Sequence, residues 1–369
     1  MKRYYETEEK QKKAFLVSIF GDDCDNGREL TGLVESLGAE AAGCEVIHVR
    51  EKQAKFGMGS GKAAELAEKA AALEADCMVF DWNPSPSQQR NWEKLAGIPV
   101  IDRQELIIRI FAQRANTREA ALQVQLAELS YSLPRLTHKY IDLSRQRGGR
   151  YGTKGSGETL LETDRRQIEK RISALEKDLA QVSRQRQVQR QQRKRMELPV
   201  CAIVGYTNAG KSSLLNALTG SKVLVENKLF ATLDATTRRF EPAPGVHALL
   251  CDTVGFIRNL PHSLIKAFRS TLEEAALADM LIHILDASDP QVESYYKTTV
   301  SVLAELGAEG IPAITVLNKI DRLQGEDVQH LFPGSLAISV HEGTGLDALK
   351  NKIAKKLRET KQKRSEKSR

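Results

Sequence analysis

Residues 205–212 read Gly205-Tyr206-Thr207-Asn208-Ala209-Gly210-Lys211-Ser212, a G-x-x-x-x-G-K-S string. The apolar run from Leu198 to Val204 predicts a strand ahead of it, and Ser213 to Leu218 predicts a helix behind it. This strand–loop–helix context constrains the fold more than any other stretch of the chain. The glycines let the backbone curl so that its N–H groups face phosphate oxygens, and the helix N-terminus adds its dipole. Lys211 is expected to reach the β- and γ-phosphates of a nucleotide, and the Ser212 hydroxyl to ligate Mg²⁺.

Downstream residues choose the nucleotide. Ala248 to Cys251 predicts a strand ending in Asp252-Thr253-Val254-Gly255, a D-x-x-G string. A carboxylate there can hold Mg²⁺ through water, and the Gly255 N–H can meet a γ-phosphate. Ala313 to Leu317 predicts a buried strand running into Asn318-Lys319-Ile320-Asp321. The Asp321 carboxylate can accept from both N1–H and N2–H₂ of guanine, a donor pair that adenine lacks. Leu336 to His341 predicts another strand, whose end at Ser339-Val340-His341 can present a backbone N–H to guanine O6. Each string is weak alone. Together, in this order and at the carboxyl ends of strands of an open parallel sheet, they specify a GTP site.

Between the phosphate loop and Asp252 lies a loop containing Phe230-Ala231-Thr232-Leu233-Asp234. A nucleotide switch needs a threonine that joins the Mg²⁺ shell only while the γ-phosphate is present. Thr232 is the first choice and Thr236 its competitor. Lys211, Thr232 and Gly255 are the candidate catalytic groups, with Ser212 and Thr232 as metal ligands. Phe256 follows the D-x-x-G string where many GTPases place a water-orienting glutamine, so slow intrinsic hydrolysis is expected, completed by a partner or another loop. Asn208 raises the option of a bound K⁺ acting as positive charge at the γ-phosphate.

With 369 residues the chain has room for two or three cores. Its five cysteines form no C-x-x-C pair, and most sit in apolar runs, so they read as reduced core thiols. No apolar run reaches the ~18–20 residues of a membrane-spanning helix. The amino terminus also lacks the apolar core of a signal peptide. A monomeric cytoplasmic protein without stable membrane insertion is expected, with peripheral contact with the membrane surface left open. The net charge is +7, and the segment from Lys355 to Arg369 holds eight Lys/Arg against Glu359 and Glu366. A solvated, disordered end and a binding arm are both open for it.

Residues 15–115 alternate strands (15–20, 44–49, 77–81, 98–102) with helices near 27–37, 61–74, 86–97 and 103–115, which predicts a second parallel α/β domain. Its Lys55 to Lys62 segment superficially resembles a phosphate loop. Only three residues separate Gly57 from Gly61, and Ala63 replaces the hydroxyl, so a flexible turn before a helix is the better reading. Leu122, Leu126, Leu129 and Leu133 form one apolar seam. Leu161, Ile168, Ile172, Leu175, Leu179 and Val182 form another. An antiparallel hairpin of two helices fits both seams, as does burial of each against a different domain. The loop between them, 134–157, is long, carries five glycines and is basic through Arg135, Lys139, Arg145, Arg147, Arg150 and Lys154, with Tyr140 and Tyr151 interleaved. Contact with RNA and a disordered spacer both fit it.

Thr137 to Arg166, with Leu143-Ser-Arg-Gln146, Arg147-Gly-Gly149, Gly155-Ser-Gly-Glu158 and Leu161-Glu-Thr-Asp-Arg-Arg166, resembles the hallmark segment of the HflX family of GTPases. The phosphate loop and Phe230 to Asp234 are similar to that family's as well. The resemblance runs over roughly residues 15–357. It implies a ribosome-associated, Mg²⁺-dependent GTPase of the translation-factor class that binds the large ribosomal subunit and its rRNA. It also implies splitting of ribosomes or release of stalled or dormant ones, with low intrinsic turnover stimulated by the ribosome. Ser156, Ala235 and Val340 depart from the family's usual Pro, Pro and Ala. A GTPase acting in ribosome assembly or RNA modification, or a nucleotide-gated RNA-binding scaffold, remains the alternative.

The expected architecture is α/β. A flexible terminus (1–14) precedes the amino-terminal α/β domain (15–115). A coiled-coil-like helical linker (116–197), a P-loop GTPase domain (198–357) and a basic disordered tail (358–369) follow.

Overall fold

The computed structural model describes residues 12–19, 27–49, 51, 53–146, 156–195, 198–222, 226, 228–258, 261, 264, 267–323 and 329–367. They form two compact units. The first comprises 1–113 with 131–168, and the second 114–130 with 169–369.

In the first unit β1 (Lys13–Ile19), β2 (Glu40–Ile47), β3 (Cys77–Phe80) and β4 (Val100–Asp102) make an all-parallel sheet in the order β2-β1-β3-β4. Helices α1 (Arg28–Ser36), α2 (Ser60–Ala72), α3 (Pro86–Ala96) and α4 (Arg103–Arg114) connect or follow the strands. The near-continuous apolar run Ala14–Val17 is fully buried, as expected of a central parallel strand. β2 starts at Glu40, four residues ahead of the expected Cys44, because an edge strand carries little apolar signal in Glu40-Ala-Ala-Gly43. α3 begins with a capping box: Ser85 and Gln88 exchange backbone and side-chain hydrogen bonds, and Pro86 occupies the first turn.

The glycine-rich segment 55–62 does lead into a helix, α2, but it is anchored rather than loose. Phe56 and Met58 are buried in the core, and the Trp92 indole donates to the Phe56 carbonyl at 3.0 Å. Phe56 and Phe80 meet the Trp92 ring edge-on at 5.3 and 4.9 Å. The side chains of Phe56 and Met58 at this turn pack into the core of the first unit.

Helix α5 (Arg118–Gln146) runs unbroken through Pro134, and α6 spans Ser156–Arg195. Residues 134–146, expected to be loop, are therefore helical. Proline removes one hydrogen bond from a helix interior, and the neighbouring turn is held from outside. Arg135 stacks over the Tyr131 ring at 3.6 Å and reaches the fully buried Asp102 at 2.7 Å, and the Tyr131 hydroxyl bonds the same carboxylate at 3.0 Å. The remainder of the basic loop, 147–155, and the side chains of Lys139, Tyr140 and Arg145 lie outside the described residues. Of the segment that holds these helices, 131–168 groups with the first unit, and 114–130 and 169–195 with the second. In the second unit the most buried α5 positions are Ala120, Gln123, Val124 and Ala127, one step round from the leucine seam, with Leu175 buried on α6.

The second unit is built on a six-stranded sheet ordered β10-β9-β8-β5-β7-β6. Its strands are β5 (Val200–Gly205), β6 (Thr236–Ala243), β7 (Val246–Asp252), β8 (Met280–Asp286), β9 (Ala313–Asn318) and β10 (Leu336–Ala337). All neighbours are parallel except the hairpin of β6 with β7. Its helices include α7 (Lys211–Thr219), α8 (Arg269–Ala276), α9 (Val292–Glu305) and α10 (Leu346–Lys367). Ile203, Leu214, Leu250, Ile282, Val316 and Ile353 share one core. α10 continues to Lys367, so the expected disordered tail from 358 is helical over 358–367. Leu349, Ile353 and Leu357 seat its first turns, and a helix once nucleated propagates readily through lysine, arginine and glutamate.

Candidate functional site

β5 lies in the middle of the sheet between β7 and β8, so its carboxyl end opens where the neighbouring strands also end. Gly205 leaves the strand at φ 153°, and a Cβ there would lie 2.2 Å from the Ile284 carbonyl oxygen. At Gly210, φ 100°, a Cβ would lie 2.4 Å from Asn318 Nδ2. Both positions exclude a side chain by close approach. Asn208 takes the left-handed conformation at φ 61°. Gly210 is the N-cap of α7 and supplies no side-chain cap, which leaves the first-turn N–H groups of that helix for an anion.

Lys211 is buried, and its ammonium donates to the carbonyl oxygens of Tyr206 at 2.6 Å and Gly205 at 3.3 Å. Burial pulls its pKa down to about 8; nearby Asp252 opposes the fall and Lys319 adds to it. The Ser212 hydroxyl donates to Asp252 Oδ2 at 2.6 Å and lies 2.8 Å from Thr232 Oγ1. Asp252 is fully buried at the end of β7, and burial pushes its carboxyl up while Lys211, Ser212 and Thr232 oppose. Among the described residues Asp252 Oδ1 and Thr207 Oγ1 are buried oxygens without a hydrogen-bond partner. Buried oxygens are seldom left so. Two hydroxyls, a carboxylate and orphaned oxygens beside a lysine fit a hard cation and a phosphate.

A cleft open to solvent runs along this cluster. It is lined by Thr207, Asn208, Gly210, Lys211, Ser212, Ser213, Glu226, Lys228, Phe230, Ala231, Thr232 and Gly255. Of the two threonines weighed for the switch, Thr232 faces Ser212, whereas Thr236 opens β6 and pairs in register with Asp252. Leu233 and Phe230 are buried beneath the loop. Gly255 closes over the phosphate loop so tightly that a Cβ would lie 2.8 Å from both Lys211 Nζ and Thr207 Cα. Thr253 bonds the Ile203 carbonyl at 2.7 Å, and Val254 is buried. Phe256 extends the sheet by a bridge to Tyr206 and is buried, so it presents no hydrogen-bonding group to a water at the cleft.

Across the loop, Asn318 and Lys319 act as braces. Asn318 Nδ2 donates to the Ala209 carbonyl at 2.9 Å, and its Oδ1 accepts from Val340 N at 3.1 Å. Lys319, at φ 64°, bonds the Asn208 carbonyl at 2.9 Å and pairs with Asp286 at 2.5 Å. Asp321 sits in the short turn Ile320–Arg322. Ser339 Oγ donates to it at 2.5 Å and holds its carboxyl below the ordinary value. The strand expected over 336–341 is only Leu336–Ala337; Ser339, Val340 and His341 lie in the following loop, where Ser339 N bonds Thr344 O at 3.1 Å. A tight turn at Gly345 permits that bond.

Sequence reading missed Glu226 and Lys228 on the cleft wall. It also missed Tyr295, whose ring stacks on Tyr206 at 3.8 Å while the Tyr206 hydroxyl accepts from Arg258 N. No spacing rule marks them. Position 206 is one of the unspecified places in the phosphate-loop string, and the partners come from elsewhere in the chain.

The chain is similar to known proteins over most of its length. The family described as 50S ribosome-binding GTPase matches residues 200–319. The GTP-binding GTPase middle region matches 114–193, and the GTP-binding GTPase N-terminal family matches 25–112. The protein called GTPase HflX from Akkermansia muciniphila is 48% identical over 373 residues, covering 95% of this chain and 85% of the relative. GTPase HflX from Escherichia coli K12 is 41% identical over 354 residues, covering 94% and 83%. Among solved structures, the SsGBP–GDP complex aligns with a TM-score of 0.52 at 25% identity over 95% of this chain and 99% of that one.

Proposed function

The chain belongs to the HflX family of GTPases, and from that premise we propose that it binds the large ribosomal subunit while loaded with GTP and hydrolyses the nucleotide to GDP and phosphate there. It acts in the cytoplasm as a monomer, splitting or rescuing stalled or dormant ribosomes. The observation that carries the nucleotide reading is the cluster at the end of β5. Lys211, Ser212 and Thr232 line the cleft, Asp252 sits buried behind Ser212, and Asp252 Oδ1 and Thr207 Oγ1 lack partners among the described residues. Ser212 and Thr232 would hold Mg²⁺, with Asp252 acting through water, and the cation neutralises charge on the phosphates when bound.

The chain's own contribution is electrostatic. Lys211 and the first turn of α7 stabilise negative charge on the β- and γ-phosphates, and Gly255 brings its N–H against the γ-position. Asp321 reads the guanine edge, with the Ser339–His341 loop beside it. Asn318 and Lys319 keep the base-reading turn in register with the phosphate loop. Because Phe256 is buried and apolar, orientation of the attacking water falls to a group from outside this turn. This supports low intrinsic turnover and stimulation by the ribosome. A K⁺ ion at Asn208 is one source of additional positive charge.

No helix among the described residues is long and apolar enough to cross a membrane. Sedimentation with purified large and small subunits, with a non-hydrolysable GTP analogue, GDP or no nucleotide, tests the proposal when phosphate release is followed in parallel. Large-subunit binding that requires the triphosphate, with faster release of phosphate on ribosomes, is the expected result. Binding indifferent to nucleotide, without turnover, would favour the RNA-binding scaffold.

A further inference from the structure

The loop that carries Thr232 is held at both ends by residues from far upstream. Arg114 closes α4, and its Nη2 pairs with Glu226 Oε2 at 2.6 Å. Thr117 caps α5, its Oγ1 accepting from Ala120 N at 3.1 Å, and the same hydroxyl donates to Asp234 Oδ1 at 2.5 Å. All four residues belong to the second compact unit. Glu226 lines the cleft, and Asp234 lies two residues beyond Thr232, whose hydroxyl is 2.8 Å from that of Ser212. The pair at Arg114 lies at the edge of solvent: the Arg114 side chain is 16% exposed and that of Glu226 is 29% exposed.

From this geometry we infer that Arg114 and Thr117 are positioning residues for the nucleotide reaction, clamping residues 226 and 234 so that Thr232 is presented to the metal position before the triphosphate arrives. The inference rests on the reading of the cleft as a guanine-nucleotide site. A loop free at both ends loses conformational entropy when it brings one hydroxyl to one place. Anchoring both flanks removes part of that cost in advance. The benefit falls on the state in which Thr232 is engaged, which is the state with a γ-phosphate, so the clamp acts on discrimination between triphosphate and diphosphate.

The test uses the full chain. A non-hydrolysable GTP analogue and GDP, each with Mg²⁺, are titrated into wild type, R114A, T117V, the double variant and the conservative R114K and T117S. The double variant is expected to lose about tenfold in its preference for triphosphate over diphosphate, a typical coupling between linked elements. GDP affinity should stay within about twofold, and R114K and T117S should restore most of the preference. Single-turnover hydrolysis should slow in parallel. A general structural defect would lower both affinities together, and that result, or an unchanged preference, overturns the inference. If the double variant does not fold, E226Q removes the charge from the Arg114 pair on the other side. A smaller shift of the same sign is then expected, and an unchanged preference again overturns it. Wild type that binds neither nucleotide would overturn the reading of the cleft itself.

Discussion

Nucleotide affinity should depend on pH through Lys211. Its ammonium is buried against two carbonyl oxygens, and burial brings the pKa from 10.5 to about 8. That drop corresponds to roughly 3 kcal/mol against the charged form. For the fold itself, a depressed pKa means a contribution present above 10.5 and lost as pH falls through 8. At neutral pH the nucleotide-free protein therefore carries the cost. A phosphate beside the ammonium favours the charged form and raises the pKa again, so binding takes up a proton wherever the free protein has lost it. Affinity should be full below pH 8 and then fall about tenfold per pH unit. Between pH 7 and pH 9 the protonated fraction of the free lysine drops from about nine-tenths to about one-tenth, a roughly tenfold loss of affinity. Titration of Mg²⁺–GDP at pH 7, 8 and 9, with calorimetry in buffers of different ionisation heat, reads both affinity and proton uptake. Uptake should approach one proton at pH 9. Lys211→Arg keeps its charge throughout this range, so any remaining binding should lack the slope. A flat profile in wild type, or the same slope in the arginine variant, would refute the argument.

Asp321→Asn should relax guanine selectivity by roughly 10–100-fold in competition among GTP, XTP and ATP, since the amide cannot accept from both guanine donors; an unchanged GTP-to-XTP ratio would show that Asp321 does not read the base. Gly255→Ala places a methyl 2.8 Å from Thr207 Cα, so the D-x-x-G turn must withdraw from the phosphate loop. Single-turnover phosphate release should fall on the order of 100-fold, and a wild-type rate would contradict the close approach. Replacing Arg145, Arg147, Arg150 and Lys154 together with Ala should weaken large-subunit binding and flatten its salt dependence by roughly 0.7–0.9 for each phosphate left unneutralised, with basal turnover intact; identical slopes would make the segment a spacer. Arg135→Ala removes a 2.7 Å partner from the fully buried Asp102 and should destabilise the first unit by about 2–3 kcal/mol in urea titrations at pH 7. Burial already pushes the Asp102 carboxyl up, so its favourable contribution is present below the ordinary carboxylate range and lost as pH rises. The deficit should accordingly shrink near pH 4, and a deficit that grows there would contradict the assignment.

The phosphate loop, the D-x-x-G turn and the N-K-x-D turn were legible in the chain because each is a short string whose chemistry demands certain residue types at fixed spacing after a strand. The strands and helices of the first unit were legible for a similar reason: buried parallel strands such as Ala14–Val17 are continuous apolar runs, and α3 announces itself with Ser85, Pro86 and Gln88. The edges were not. β2 extends into Glu40-Ala-Ala-Gly43, and β6 is the charged run Thr-Thr-Arg-Arg-Phe-Glu, since a strand paired on one side needs little apolar surface. Nor was the path of α5 through Pro134 legible. It depends on Arg135 and Tyr131 meeting Asp102, a contact across some thirty residues. The competition between Thr232 and Thr236 was open in the sequence because both lie in one polar loop. Register pairs Thr236 with Asp252 on the hairpin, and the Thr232 hydroxyl lies beside Ser212, an arrangement that favours Thr232. Asn318 and Lys319 stand in the same nucleotide-binding string as Asp321, and only the folded chain shows their side chains bracing Ala209 and Asn208 on the phosphate loop. Short-range chemistry leaves a spacing that can be read along the chain. Contacts between residues a hundred positions apart leave none, and they exist only once the sheet has brought the strand ends together.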